Sequence, residues 1–256
     1  MRIFKAVTAM FASLVLAVSM CAAGASSPKG VQPPKGFDKK VYDASLALYA
    51  TSEQADIQNR FICTVTAFEK TKGGYLLIGA GHCTSANPDL PADLTYGVAD
   101  DINGTVHPII LIKSEMAEPL DYAIYYYPTT QKYPTIELGD ESKDRVGDKT
   151  IDVNYSLGAA KMASPGVIVS QTINNGGEVT GFVLVDEFAS HGSSGSAVVS
   201  RKTHKIIGLV IAGWDGATMP QLIEPITSIE KILSSMTVSI ASKPGTKTSV
   251  NAIILK

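Results

Sequence analysis

The chain has 256 residues, 45% of them hydrophobic and 18% charged, with a formal net charge of −2. That length and apolar content support one large or two small globular domains and exclude a disordered chain. The near-neutral balance argues against nucleic acid as a partner, and losing Arg2 and Lys5 with a leader would take the charge only to −4.

The N-terminus opens on Arg2 and Lys5, continues through an uncharged apolar run from Ala6 to Met20, and ends in Cys21-Ala22-Ala23-Gly24-Ala25. A basic start, an apolar middle and small residues are the three parts of a secretory signal peptide over residues 1–25, with cleavage expected after Ala23 or Ala25. The alternative is an uncleaved anchor holding a surface protein on a membrane, for which the apolar run is short. No later segment is apolar over the ~18 residues a span requires, so no stable membrane association is expected once the leader is gone. The expected location is the periplasm or the cell exterior, where disulfides persist. Two cysteines follow the leader, Cys63 and Cys83. Read from the residues alone, they are either a disulfide or two buried thiols.

Residues 26–60 read as an N-terminal arm. Ser26 to Gly36 is rich in Pro, Lys and Gly, a linker composition. From Phe37 to Arg60, Val41, Leu46, Leu48 and Tyr49 alternate with charged residues and predict a helix over part of the segment. At Phe61 the texture changes to short β-type runs. Phe61–Phe68 and Tyr75–Ala80 flank a Gly73-Gly74 turn, and Val106–Ile112 and Tyr122–Tyr127 complete a first unit over 61–138. A charged connection from Gly139 to Lys149 leads to Thr150–Tyr155, Gly166–Thr172, Thr180–Val185, Ala197–Ser200 and Lys205–Ala212. Asn174-Asn175-Gly176-Gly177 predicts a tight hairpin there. A short helix over Ser228–Met236 closes a second unit, 139–236, and residues 237–256 form a polar, β-branched tail without assigned structure. Short strands at turn-separated intervals predict barrels or sandwiches. Trp214, beside Asp215-Gly216, is expected to pack.

Three short motifs carry chemistry. Gly79-Ala80-Gly81-His82-Cys83 closes an apolar strand, Leu120-Asp121-Tyr122-Ala123-Ile124 opens another, and Ser190-His191-Gly192-Ser193-Ser194-Gly195-Ser196-Ala197 sets a serine between glycines. Each alone is weak, since Gly/Ser runs are usually turns. Together they supply what acyl transfer needs. A serine hydroxyl attacks an amide only when a base takes its proton, imidazole titrates in the right range, and a carboxylate fixes its tautomer.

In these motifs the chain resembles the chymotrypsin/trypsin-like serine peptidases over about Phe61 to Ile232, and its Gly-x-Ser-Gly-Ser pattern is closer to bacterial and viral members, including glutamyl-endopeptidase-like ones. The resemblance implies an all-β fold of two packed six-stranded antiparallel barrels with short terminal helices. It implies Ser194 as nucleophile, His82 as base and Asp121 as orienting acid in the cleft between the barrels. The N–H groups of Gly192 and Ser194 would form the oxyanion hole. A Cys63–Cys83 bridge is implied too, because a cysteine directly after the catalytic His commonly pairs with one on the preceding strand. Ile207 to Gly213 resembles the strand that pairs with substrate, and Ile211, Ala212 and Gly213 would line the primary pocket with residues 188–191. His191 there would favour an acidic side chain, whereas Phe188 and Ala212 would suit an apolar one. Many animal members have Asp directly before the nucleophile, where it binds a newly freed N-terminus. Here that residue is Ser193, so activation by that switch is not expected.

His107 and His204 are expected to be structural. No Cys/His or carboxylate cluster has metal-ligand spacing and no phosphate-cradling loop is present, so neither metal nor cofactor is expected. The expectation is an exported monomeric endopeptidase acting on protein or peptide substrates. Its rivals are a latent or inactive binding module on the same fold and the membrane-anchored surface protein.

Overall fold

Strands that alternate inward and outward side chains close into two rings. The first contains β1 (Ser45–Ser52), β2 (Ile57–Thr71), β3 (Gly74–Gly79), β4 (Thr95–Ala99), β5 (His107–Ala117) and β6 (Leu120–Pro128). Their order is β1-β2-β3-β6-β5-β4, and β4 pairs back onto β1 with Leu48 opposite Val98. The second half supplies β7 (Lys149–Asn154), β8 (Met162–Ser170), the separate hairpin β9 (Ile173–Asn175) and β10 (Glu178–Thr180), then β11 (Val183–Asp186), β12 (Ala197–Ser200), β13 (Ile206–Ala212) and β14 (Gln221–Pro225). Its ring runs β11-β14-β13-β12-β7-β8 and closes through β8 and β11. Helix α1 (Gly36–Ala44) precedes the first ring and α2 (Ile226–Ser234) follows the second. The computed structural model describes residues 34–117, 120–171, 173–175, 178–180, 183–212, 221–234, 237–238 and 253–254, so the segment 1–25 expected to be a signal peptide, Gly213, Trp214 and most of the tail lie outside the described residues. No described helix is long and apolar enough to cross a membrane.

The period-two pattern explains the packing. Leu77, Ala123, Tyr125 and Tyr127 point into the first barrel with Leu46, Leu48 and Val65. Their neighbours Leu76, Ile78, Tyr122 and Ile124 point out of it and meet Ile151, Val153, Val199, Leu209 and Ile226 of the second half. Ile168, Val185, Val198, Ile207, Val210 and Ile223 fill the second barrel. The seam between the barrels is therefore an apolar core of its own. It fixes the position of one barrel against the other, which a cleft site built from both requires.

Three elements differ from the sequence expectations. The helix expected within 37–60 ends at Ala44, and the next eight residues are strand β1, so the first barrel begins at Ser45 and not at Phe61. Residues 45–50 are buried on both faces, and a continuous apolar run carries no period to tell strand from helix. β4 was not expected either: it is five residues long with Gly97 inside. β14 is likewise a short strand running directly into α2. Both are recognisable only through their partners. The hairpin expected around Asn174 to Gly177 is present as β9 paired with β10, Asn175 opposite Glu178. His204 stacks on Phe37, ring centroids 4.0 Å apart, which ties α1 to the second barrel.

Cys63 of β2 and Cys83 are joined in a disulfide across 20 residues. Closing that loop in the unfolded chain is worth about 3 kcal/mol. Urea unfolding of a Cys63→Ala/Cys83→Ala variant is expected to show that loss. An unchanged midpoint would mean the bridge does not constrain the unfolded chain.

Candidate active site

β3 ends at Gly79, and the chain turns at once into a single 3₁₀ turn, Gly81–Cys83, that carries His82. The turn is tied on both sides. Cys83 is bonded to β2, the Thr84 N–H donates to the Gly81 carbonyl at 2.9 Å, and Asn87 Nδ2 donates to the His82 carbonyl at 3.1 Å. Asp121, near the start of β6, receives two hydrogen bonds from this one residue. The His82 backbone N–H reaches Oδ1 at 2.8 Å, and ring Nδ1 lies 2.6 Å from Oδ2. The side chains are 19% and 16% exposed, partly dry but open on one side. Because Nδ1 carries the proton in that contact, Nε2 is the ring atom left with a lone pair.

Ser194 comes from the other barrel, in the turn between β11 and β12. The turn is held internally by Ser193 N–H to the Ser190 carbonyl and Ser196 N–H to the Ser193 carbonyl, both 2.9 Å. It is pinned to the first barrel by Thr64 of β2, whose N–H donates to the Ser194 carbonyl at 3.0 Å and whose hydroxyl donates to the Gly192 carbonyl at 2.8 Å. Gly195 lies directly against the strand that leads to His82. A Cβ there would sit 2.5 Å from Ala80 N and 2.6 Å from the Thr64 carbonyl oxygen, and its φ is +82°. Glycine is required at 195 on both counts. The described hydrogen bonds join His82 to Asp121 and leave the Ser194 hydroxyl unbonded.

Gly192 is constrained in the same way. Its φ is +96°, and a Cβ would meet Phe61 Cε1 at 2.7 Å and the Tyr155 carbonyl oxygen at 2.8 Å. The carbonyl of the preceding residue, His191, accepts the Leu157 N–H at 2.6 Å. In a trans peptide the N–H points opposite to the C=O, so the Gly192 N–H is turned away from the Leu157 side. Among the described residues neither the Gly192 N–H nor the Ser194 N–H has an acceptor. Two unpaired donors beside a serine hydroxyl can receive an oxyanion.

Phe188, His191 and Ala212 are exposed, and Ile211 is half-buried between the apolar clusters of the first barrel and the seam. Phe188 is fixed by its backbone: its N–H donates to Ser164 Oγ at 2.7 Å and its carbonyl accepts from Asn154 Nδ2 at 3.1 Å. Ile211 is a bulge, since Val210 opposes Ile223 and Ala212 opposes Leu222 on β14. The ladder is thus interrupted at one of the positions expected to meet substrate.

Several residues of the site carry no sequence signal. Thr64 is an ordinary strand residue by type. Ser156 is a turn serine, yet its hydroxyl lies 2.6 Å from that of fully buried Ser193. The Ser193 hydroxyl also accepts the Ser190 N–H at 3.1 Å. The position that many animal relatives fill with a charge is held here by neutral hydroxyls. Leu157 has φ +58°, rare for a bulky residue, in the turn that bonds the His191 carbonyl.

Beneath this loop two acids are buried together. Glu187 hydrogen-bonds Thr150 Oγ1, and Asp152 hydrogen-bonds Asn154 Nδ2. Burial, and then the charge of Asp152, push Glu187 well above the usual carboxyl range. Burial raises Asp152 against the pull of its donor Asn154. Folded, the pair binds protons more tightly than unfolded. Its stability contribution is full below the unfolded carboxyl range, about pH 4, and is lost as pH rises through the raised folded values. Thermal melts at pH 6 and pH 9 are expected to show a lower Tm at pH 9. The gap should shrink by ~3 °C or more in Asp152→Asn, and an equal gap in both proteins would contradict a raised Asp152 carboxyl.

Cys63, His82 and Cys83 bring ligand atoms within 4.8 Å of one another. Both sulfurs are tied in the disulfide and Nδ1 is bonded to Asp121, so this geometry belongs to the His–Asp pair and not to a metal.

Residues 64–209 match the family profile of the trypsin-like peptidase domain. That is more than half of the chain, and the chain belongs to this family. Among solved structures, the HtrA-type protease AlgW, determined with a tripeptide, is similar at 19% identity and a TM-score of 0.60. The match covers 78% of this chain and 62% of that one, so the chain spans less than two thirds of that protease's length. At this identity the likeness establishes the chymotrypsin-like fold alone. No curated protein sequence matches the chain.

Proposed function

We propose that the protein is an exported serine endopeptidase whose nucleophile is Ser194, with His82 as general base and Asp121 as its orienting acid. The observation that carries this is the double hydrogen bond from His82 to Asp121, on the same barrel edge against which the Ser194 turn is pinned. His82 Nε2 takes the Ser194 proton as the hydroxyl attacks the scissile carbonyl. The N–H groups of Gly192 and Ser194 receive the oxyanion, each worth roughly 3 kcal/mol of barrier. His82 then delivers the proton to the leaving amine, and water releases the acyl-enzyme with His82 again as base. Asp121 keeps the ring oriented and stabilises the imidazolium.

Substrate would lie across Ile211 to Gly213, where the interrupted ladder frees backbone groups for main-chain pairing. The primary side chain would enter between residues 188–191 and Ala212. The neutral Ser193–Ser156 contact supports a loop that needs no new N-terminal ammonium to hold it. The disulfide supports an oxidising destination, as does the leader composition.

The test is labelling by a fluorophosphonate probe, wild type beside Ser194→Ala. Labelling confined to the wild type supports the assignment. No labelling, or labelling that survives the substitution, rejects Ser194 as the nucleophile.

A further inference from the structure

Residues 155–161 join β7 to β8, and one bond from this loop sets the peptide that carries the Gly192 N–H. The Leu157 N–H donates to the His191 carbonyl at 2.6 Å. Leu157 makes that bond from a left-handed conformation, φ +58° and ψ 20°. The residue is 70% exposed, so burial offsets little of the strain. The Gly158 and Ala159 N–H groups return to the Tyr155 and Ser156 carbonyls, both at 3.0 Å, and close the turn on itself.

Lys161 fixes the far end of the loop. Its Nζ donates to the Tyr42 carbonyl of α1 at 3.1 Å. The same atom lies 4.9 Å from the centre of the Tyr42 ring and 5.6 Å from that of Tyr155. The Tyr42 hydroxyl returns a longer bond, 3.4 Å, to the Lys161 carbonyl. Tyr42 stands in the last turn of α1, where a helix leaves carbonyls without partners and carries partial negative charge. An ammonium satisfies both, and the two ring faces attract it further. α1 is itself anchored. Val41 and Ala44 are buried in the seam, and Asp38 pairs with Arg201 at 3.0 Å. Tyr155, at the start of the loop, is fully buried and donates its hydroxyl to the Asp100 carbonyl at 2.7 Å. The Lys161 side chain thus crosses the base of its own loop and ties it to a fixed helix.

We propose that Lys161 is a positioning residue for the oxyanion hole: its clamp on α1 keeps the 155–161 loop closed, and the closed loop holds the His191–Gly192 peptide in the orientation that leaves the Gly192 N–H free for an oxyanion. This rests on the assignment of Ser194 as nucleophile and of Gly192 as an oxyanion donor. The magnitudes make the clamp decisive. A hydrogen bond from a charged donor favours the closed loop by roughly ten- to a hundredfold. A left-handed leucine disfavours it by a factor of the same order. Without the clamp, the strain released on opening is no longer outweighed, and the 191–192 peptide is free to turn over. Ser193 is neutral, so the nucleophile loop has no charge of its own to hold it at that position; the helix ahead of the first barrel supplies the anchorage.

The test compares wild type, Lys161→Met and the double variant Lys161→Met/Leu157→Gly, each confirmed as folded by near-UV circular dichroism. Methionine keeps an unbranched stem between the two rings and loses the ammonium. Hydrogen exchange reads how often the bond at position 157 opens, and steady-state kinetics on a chromogenic peptide separate kcat from KM. In Lys161→Met the amide at position 157 is expected to exchange about tenfold faster or more. The Thr64 amide, which holds the Ser194 carbonyl from the other barrel, should be unchanged. In the same variant kcat should fall about tenfold, with KM within about twofold of wild type. Glycine adopts the left-handed conformation without strain, so the double variant should regain most of the lost kcat. Unchanged exchange at position 157, or a kcat within about twofold of wild type, in folded Lys161→Met would overturn the proposal. A kcat loss that Leu157→Gly does not reduce would overturn it too, and would confine Lys161 to the stability of α1. A wild type that no fluorophosphonate labels would instead defeat the assignment of Ser194, and exchange at position 157 would still decide whether Lys161 holds the loop.

Discussion

Replacing Ser194 by alanine is expected to lower kcat on a peptide substrate by about 10⁶-fold and leave KM close to its wild-type value. Residual turnover should remain above the uncatalysed rate by roughly 10³–10⁴-fold, because the proposed oxyanion donors and substrate strand survive. The fold should tolerate the change. Ser194 contributes its backbone to the turn through the carbonyl that accepts the Thr64 N–H, and alanine keeps that bond. The hydroxyl has no partner among the described residues, so its loss strands no buried donor or acceptor. Steady-state kinetics and a thermal melt on the same preparation check both parts. A fall of only about tenfold would place the nucleophile elsewhere, with Ser193 and Ser196 the nearest hydroxyls. Both of those are fully buried, which is why the geometry favours Ser194.

Asp121→Asn should cost about 10⁴-fold in kcat at neutral pH. The reason lies in how Asp121 is used. Its two oxygens each accept an N–H from His82, the backbone at 2.8 Å and the ring at 2.6 Å. Asparagine offers one oxygen. If the backbone N–H keeps it, the amide NH₂ faces Nδ1, and Nδ1 must then present its lone pair. The ring proton moves to Nε2, the atom that has to accept the Ser194 proton, and the base is blocked. The dual role of the carboxylate thus predicts the tautomer as well as the rate. Nitrogen NMR of the His82 ring reads the tautomer directly. A variant that keeps Nδ1–H and most of its activity would show that Asp121 does not orient the base.

Much of the architecture follows from local sequence. β3 and β6 are short, strongly apolar runs bounded by Gly and Pro, and they lie within about two residues of where the sequence puts them. The three motifs sit at strand ends, which is where backbone geometry changes and side chains reach the cleft. Segments whose partners lie far away in the chain were not legible. β1 is buried on both faces because its barrel and the second half each cover one, and a run without a period does not tell strand from helix. β4 and β14 are five residues each, too short to carry a period. They exist because closing a ring leaves a strand edge that needs a partner.

The same distinction runs through the site. The roles proposed for His82, Asp121, Ser194 and Gly192 could be named from sequence because nucleophilic catalysis needs those residue types in those local settings. Those of Thr64, Ser156, Leu157 and Lys161 could not be, because they rest on contacts between elements. Thr64 is one threonine in a strand until the second barrel's turn is laid against it. Lys161 reads as a surface lysine until α1 brings a carbonyl to it. The sequence by itself determined which groups can do the chemistry, since reactivity belongs to side chains and strand periodicity to neighbours. Tertiary structure decided which of those groups meet, which peptide N–H groups are left unpaired, and which carboxyls are forced to keep their protons, because distance and desolvation arise only when two barrels pack.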